Sequence, residues 1–445
     1  MKNTTAVLAF SLLVCSLLLL GCSALSGNAV AGNKIPEGYF ERTSELDLDL
    51  DLDLVWQYSL KAPVAATPVV NGDQLVITAD NGNLYSFDLS SQKMVWIYRA
   101  EGAIASTPAI ANGKIYWLGG DGFLHALDQA SGKLLWRFAT GGEARFAAIG
   151  SYGMAPEKGP VPDPWDFHLS SPVVWANKVF FGSSDKHLYA LDAMTGELIW
   201  SFTADDMIHS TPVIKNGKLF FGTWGSKVFA LDVNTGKQLW QFQAGVDPTN
   251  VVMQGITASP IVDGVNLYVG VRDGYFYALS QADGSLVWRY DAASSWILAD
   301  ATSDGDTVYL GTSDTALLLA LDKKTGTEKD RADTRFWAYN KPVLVDDRFV
   351  FVGNMQGELY GFDKNAGKLV WYYQTQENRA DINDILEDQT SKIKAEKIFS
   401  PHVQLQAGVE WVKMLGAFIA SPIWVDGKLI AVTATGDVLI FASTK

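Results

Sequence analysis

One phrase recurs through this chain and decides what it can fold into. It reads FLHALDQASGKLLWRF at Phe123–Phe138, HLYALDAMTGELIWSF at His187–Phe202 and KVFALDVNTGKQLWQF at Lys227–Phe242. Looser copies lie on both sides, and two series of residues mark them. Prolines stand at Pro68, Pro108, Pro172, Pro212, Pro260, Pro342 and Pro422, with Asp300-Ala301 in the remaining place. Tryptophans stand at Trp56, Trp96, Trp136, Trp200, Trp240, Trp288 and Trp371, with Asp330 in the remaining place. Both series count eight, and self-similarity at a period of about 40 residues must be read before any division into domains.

Each unit carries four short runs rich in Val, Phe, Tyr and Ile, punctuated by Gly, Asn and Asp. In the third unit they are SSPVVWA, KVFFGSS, KHLYALD and ELIWSFT. Runs of this kind are strands. Four strands per unit predict an all-β fold, an eight-bladed β-propeller of four-stranded antiparallel blades. A single blade cannot cover both its faces, so neighbouring blades must bury each other. The first Trp precedes any complete unit, and the last unit stops before its Trp. Leu54–Leu60 is therefore expected to supply the outer strand of the blade begun at Phe418 and to close the ring. The repeated residues read as structural. The Trp rings pack between blades and can donate their indole N–H. The Asp at Asp88, Asp128, Asp192, Asp232, Asp322 and Asp363 accepts backbone N–H groups in a turn. The glycine that follows, as at Gly196, takes positive φ.

With its ALDxxTGxxxW phrase, the stretch from Leu54 to the end resembles the PQQ-like propeller family. The GH…WD marks of WD40 blades are absent. The resemblance supports the fold and says little about activity, because one fold hosts many functions.

The N-terminus points to the cell envelope. Lys2 is followed by an apolar run from Ala6 to Leu20, short for a spanning helix and right for a signal-peptide core. It ends in Leu19-Leu20-Gly21-Cys22, which resembles the bacterial lipobox. Residues 1–21 are therefore expected to be a lipoprotein signal, with Cys22 as the lipidated residue. Of the two cysteines, Cys15 falls inside that signal, so no disulfide is expected in the mature chain. In lipoproteins an Asp after the Cys retains the protein at the inner membrane; Ser23 stands there instead, which points to the outer membrane. Residues 22–53 read as a tether and 54–445 as the propeller. The tether ends in ELDLDLDLDL, a low-complexity linker or else a strand running on into VWQYSL or a partner-binding edge. The formal net charge of −14 argues against nucleic acid as a partner.

Function is sought where the repeat breaks. Trp56, Trp96 and Trp136 are spaced by 40 residues, but Trp136 and Trp200 by 64. Three insertions result, near 141–165, 246–254 and 374–413. All three join the outer strand of one blade to the inner strand of the next, so all three belong on one rim around the channel mouth. Loops on a rigid scaffold carry recognition. The first insertion, rich in Pro and Gly, reads as an ordered loop without helix, anchored by aromatic residues including Tyr152. In the third, Ile382, Ile385, Leu386 and Ile393 fit one face of a short helix. Candidate mouth and lid residues are Arg145, Phe146, Trp165, Asp166, His168, His209, Gln254, Trp296, Asp300, Trp337 and Lys341. His168 and His209 come from adjacent blades but lie four and three residues before their prolines, so strand alternation should turn them apart. No metal site is expected. His125 and His187 read as sheet packing, and His402 has no reading.

Three functions follow. The PQQ-like resemblance raises a quinoprotein dehydrogenase, which would need the quinone and calcium over the channel. The family's vicinal cysteine pair is absent, and calcium takes six to eight oxygen ligands, for which no motif is found. No Gly-x-Ser-x-Gly, His-Glu-x-x-His or phosphate loop occurs either. A lipid-anchored eight-bladed propeller is similar to the BamB-type outer-membrane assembly lipoproteins, which implies protein partners in the envelope, the barrel-assembly machinery among them, and no cofactor. The third reading is a small-molecule or glycan sensor using Trp165, Phe167, Trp296 and Trp337 as a lid. A scaffold is favoured over an enzyme.

Overall fold

The computed structural model describes residues 50–148, 160–245, 254–387, 393–398 and 405–444. The expected signal, Cys22, most of the tether, Tyr152 and His402 lie outside the described residues. Within them the strands form eight four-stranded antiparallel sheets and one two-stranded ribbon. Seven sheets are sequential, each running from inner to outer strand; in the third these are Val173–Trp175, Lys178–Gly182, His187–Asp192 and Leu198–Thr203. The eighth is built from both ends of the chain. Ile423–Val425, Lys428–Val432 and Asp437–Ala442 give its inner three strands, and Asp53–Ser59 pairs antiparallel with Asp437–Ala442 as the outermost. The ring is thus closed by the N-terminal strand, as the unfinished last unit requires.

The recurring phrase explains how blades lock. Asp192 Oδ1 accepts the N–H groups of Met194 (2.8 Å) and Thr195 (2.9 Å), which tightens the turn into the outer strand. Gly196 follows at φ 76°, and a Cβ there would sit 2.6 Å from the Trp136 ring of the preceding blade. Glycine is demanded twice, by handedness and by the Trp it seats. The indoles of Trp240 and Trp288 donate to the Gln281 and Lys323 carbonyls of the next blade. Third strands are buried on both faces because each sheet is covered by two neighbours.

Every outer strand also carries a β-bulge at the residue ahead of the Trp position. In blade 3, Trp200 pairs with Ala190 and Leu198 with Leu191, leaving Ile199 unpaired. The same skip occurs at Val55, Val95, Leu135, Leu239, Val287, Lys329 and Val370. Bulges twist an exposed edge and blunt its pairing with other chains.

The insertions depart from expectation in two places. The first contains a short ribbon, Ala147–Ala148 against Val161–Pro162. The third is helical, but not where the Ile/Leu spacing put the helix. Its helices are Gln376–Ala380, Ala395–Ile398 and Leu405–Lys413, while Leu386 and Ile393 face each other in an isolated antiparallel bridge. Asp381 ends the first helix in the left-handed region at φ 38°. Its carboxylate then accepts the N–H groups of Ile385 and Leu386 (2.9 Å each), turning the chain there. Ile385 is buried and Ile382 is exposed, so the spacing marked neither a helix nor a single buried face.

Candidate functional site

The floor of the candidate site is a belt around the propeller axis, made by the residue before each inner-strand proline. Thr67 N–H donates to Thr107 Oγ1 (3.1 Å), Thr107 N–H to Ser171 Oγ (2.9 Å) and Ser171 N–H to Thr211 Oγ1 (3.2 Å). Thr211 N–H then reaches Ser259 Oγ (3.0 Å), and Ser259 N–H reaches Asp300 Oδ1 (2.6 Å). On the other side Lys341 N–H donates to Ser421 Oγ (2.9 Å) and Ser421 N–H returns to Thr67 Oγ1 (3.1 Å). The circle opens only between Asp300 and Lys341, because an ammonium side chain has no lone pair to offer. Lys341→Thr supplies that acceptor. It should raise unfolding free energy by about 0.5–1.5 kcal/mol in urea titration, provided Asp300 N–H becomes bonded.

Above the belt lies an axial cavity of about 70 Å³, bordered by His168, His209, Asp300, Tyr339 and Lys341 among others. The two histidines are not turned apart. Both precede the first residue of their inner strands, at Val173 and Val213, so strand alternation does not govern them. Burial lowers the pKa of His168.

The first insertion closes this mouth. Glu143 receives Ser183 Oγ (2.6 Å), Ser184 N–H (2.9 Å) and Ser184 Oγ (2.8 Å), all from the turn between the second and third strands of blade 3. Ser184 Oγ lies 2.9 Å from His209 Nε2, and His209 Nδ1 lies 2.9 Å from Asp166 Oδ1. Asp166 Oδ2 accepts the N–H of Phe146 (2.7 Å), and Asp163 N–H donates to the Phe146 carbonyl (2.7 Å). The Phe146 ring stacks on Trp224 at 4.1 Å. Arg272 lies over Trp224 (4.9 Å) and Trp296 (4.2 Å) while its Nη1 donates to Asp163 Oδ2 (2.6 Å). Arg272 and Asp163 are both buried.

The third insertion completes the cap. Trp165, Phe167 and Trp337 form one buried cluster with Ile385, Ile398, Val409, Val412 and Leu415, against which Trp296 packs. Trp165 meets Trp337 edge to face at 4.7 Å, and Gln406 Nε2 reaches the Pro162 carbonyl at 3.5 Å. Two insertions therefore do meet on one rim. Of the second, only Gln254 is described, half-buried beside Gly255, whose backbone abuts Trp224. Arg145 is exposed, and its charge acts on Asp80 of blade 1 together with that of Lys413.

Electrostatically the cap is held by shared protons. Burial works to lower the His209 pKa, but Asp166 and the nearby Glu143 and Asp206 outweigh it, and the net shift is upward. Burial raises the Glu143 pKa, opposed by Ser183 and Ser184. Ser184, His209 and Asp166 have the spacing of a hydrolase relay. Yet Ser184 Oγ also abuts Glu143 Oε2 and the Ala144 carbonyl (3.0 Å), so acceptors enclose it where a substrate carbonyl would have to enter. The arrangement fastens a lid.

Sequence reasoning missed Glu143, Asp163, Ser184, Trp224 and Arg272. The last three share one repeat position, the second residue of the turn between strands two and three. It holds Asp80, Gly120, Ser184, Trp224, Arg272, Ser313, Met355 and Ala434 around the ring. Against mostly small neighbours, Trp224 and Arg272 stand out, and that contrast was available in the sequence. His125 and His187 do pack: His125 stacks on Trp117 at 3.9 Å and bonds Asp121, and His187 stacks on Tyr189 at 5.6 Å.

Comparison with known proteins matches residues 48–157, 157–294 and 272–439 to the family described as outer membrane protein assembly factor BamB. This chain belongs to that family. A BamB from Kangiella koreensis is 29% identical over 117 residues, 26% of this chain and 29% of that one. Quinohemoprotein alcohol dehydrogenase ADH-IIG of Pseudomonas putida is 31% identical over 144 residues, 27% of this chain and 20% of that one. The chain thus spans under a third of the length of either relative. Among solved structures, BamB from Moraxella catarrhalis superposes with a TM-score of 0.64 at 16% identity, over 88% of this chain and 99% of that one. Quinohemoprotein alcohol dehydrogenase from Comamonas testosteroni gives 0.63 at 16%, over 88% and 77%. At such identities the likeness shows the fold alone.

A BamB-family propeller shares its architecture with quinone enzymes, so the fit of a quinone and calcium must be tested on the residues themselves. They do not fit. A drug-sized ligand takes roughly 300–1,000 Å³, against about 70 Å³ on this axis. Among the described residues no group of three or more His, Cys, Asp or Glu could hold a metal ion. The space above is filled by Trp165 and its neighbours.

Proposed function

We propose that this chain is a lipid-anchored, periplasm-facing scaffold that binds protein partners during outer-membrane protein assembly. The observation that carries the reading is the family match, which runs through nearly the whole propeller. The capped axis supports it: recognition falls to the outer surfaces of the insertions and rim, where a protein rather than a buried small molecule is met. Lipid at Cys22 supplies the membrane attachment, each buried CH₂ contributing about 0.8 kcal/mol.

Wild-type cells fed labelled palmitate should label this chain, and Cys22→Ser should remove the label and move the protein to the soluble fraction. Pulldown from crosslinked envelopes should recover barrel-assembly subunits. Recovery of none, with unchanged porin levels in a deletion strain, rejects the assembly role.

The segment matches to quinohemoprotein dehydrogenases are what a second reading, a quinone-dependent enzyme, rests on, and the narrow capped axis stands against it. Purified protein given the quinone and calcium would have to reduce a dye for that reading to replace the first.

A further inference from the structure

All the belt residues line the axial cavity, and their hydrogen bonds leave a surplus of donors there. The hydroxyls of Thr67, Thr107, Ser171, Thr211, Ser259 and Ser421 each accept one backbone N–H from a neighbouring blade. A hydroxyl that accepts through one lone pair still has its proton to give. Among the described residues none of these protons meets a protein acceptor. The Lys341 ammonium makes no hydrogen bond or ion pair there either, and it is exposed. His168 borders the same cavity, and its ring nitrogens have no hydrogen-bond partner among the described residues. Burial lowers its pKa, so at neutral pH it brings an N–H but no charge.

We propose that the axis binds a small monovalent anion, a halide or a short carboxylate, within this belt. The donor surplus sets the sign. A hydroxyl polarised by an incoming N–H donates more strongly, and hydrogen bonds to an ionised acceptor are roughly twice as strong as neutral ones. A cation would have to share the belt with the Lys341 ammonium, which repels it. Asp300 is the one carboxylate in the belt, and its Oδ1 is engaged by the Ser259 N–H (2.6 Å). Its charge disfavours a dianion, so a single negative charge suits the site.

Size sets the rest. One water needs about 10–15 Å³ of such space, so a cavity of about 70 Å³ takes an ion with a few waters, or a carboxylate of two or three carbons, and nothing larger. The lid closes one end of the axis, yet Lys341 is exposed, so solvent still reaches the belt. The anion would tie seven blades to one centre through donors that the fold itself leaves unused. This site goes beyond the scaffold reading and does not depend on the assembly role or on the lipid.

Chlorine NMR of the full chain, at constant ionic strength, tests it. The wild type should broaden the chloride line. Acetate should remove the excess width by competition, and gluconate, too bulky for the cavity, should not. Lys341→Thr should weaken chloride binding about tenfold while its urea midpoint stays at or above that of the wild type, which separates lost binding from misfolding. Asp300→Asn keeps an oxygen for the Ser259 N–H and removes the opposing charge, so it should tighten binding. Lys93→Thr, at an exposed lysine on the outer strand of blade 1, should change nothing. No excess width in the wild type would overturn the proposal. So would width that gluconate removes as well as acetate does, or that Lys93→Thr lowers as much as Lys341→Thr, since the chloride would then lie on the surface. Weaker binding in a folded Asp300→Asn would mean that the belt prefers a cation, and would overturn it too.

Discussion

Arg272→Met should lower the unfolding free energy by about 3–5 kcal/mol, the cost of leaving a buried charge without its partner. Arg272 is one of the largest fully buried side chains in the protein, and Asp163 faces it from inside the lid. Methionine keeps most of the stem volume, so the loss reports the charge rather than a hole. Asp163 would keep the Trp165 N–H, which donates to its Oδ1 (2.8 Å). The pair joins an insertion to a blade, and the variant should therefore loosen the lid first. Exchange at residues 143–148 and 162–167 should speed up before the blades unfold. Adding Asp163→Asn should recover a large part of the loss, since an apolar or neutral pair often replaces a buried ion pair at little cost. The double-mutant cycle measures the coupling. A loss below about 1 kcal/mol for Arg272→Met would mean that Asp163 is solvated and the lid is not anchored there.

The propeller was legible in the sequence because its repeated residues answer to repeated geometry. Gly196 must both turn left-handed and clear Trp136, and glycine stands at the same place in six blades, so the phrase stays readable in copy after copy; Gln92, at φ 56°, is the exception in blade 1. Ring closure was legible for a similar reason, as an arithmetic consequence of one Trp too early and one too few. The rim was legible only as a place. Strand direction put the insertions on one face, but what they do there depends on partners far apart in sequence. Asp166 and His209 were flagged for residue type and position; Ser184 and Glu143, which share their protons, look like ordinary loop residues until the fold brings them within 3 Å. The helix expected at Ile382–Ile393 failed because apolar spacing alone does not fix a helix: here an Asp381 cap and a bridge turn the chain, burying Ile385 and leaving Ile382 exposed. The axial belt went unread although its signal was plain. Ser or Thr precedes six of the seven series prolines, and Lys341 is the exception.

His209→Ala should cost about 3 kcal/mol near pH 6 and markedly less at pH 9. The sign follows from two groups in the latch. The His209 pKa is raised above its ordinary 6.5, so its stabilisation is fully present below that value and is lost as pH rises through the folded pKa. Glu143 is also raised, above its ordinary 4.5. For a carboxyl this means a penalty that begins as pH climbs past 4.5 and is complete above its folded pKa. In both cases the folded protein holds more protons than the unfolded chain, so stability falls with rising pH. The turn carboxylates act in the opposite sense only in acid, with Asp88 held down to about 2 by the hydroxyl and N–H of Ser91. Below about pH 6.5 the decline is opposed by His168, whose pKa is lowered by burial and which adds stability as pH rises. Wild-type unfolding free energy should therefore decline between about pH 6.5 and pH 9, and His209→Gln should flatten that decline. Chemistry explains why the cap loosens rather than breaks. Once Nδ1 gives up its proton, Asp166 loses that donor but keeps the Phe146 N–H, and the Trp224 indole N–H, 3.1 Å from Nδ1, becomes the donor to the ring. A wild-type profile that rises across this range would mean that His209 is neutral in the fold and that Asp166 is held by its backbone donor alone.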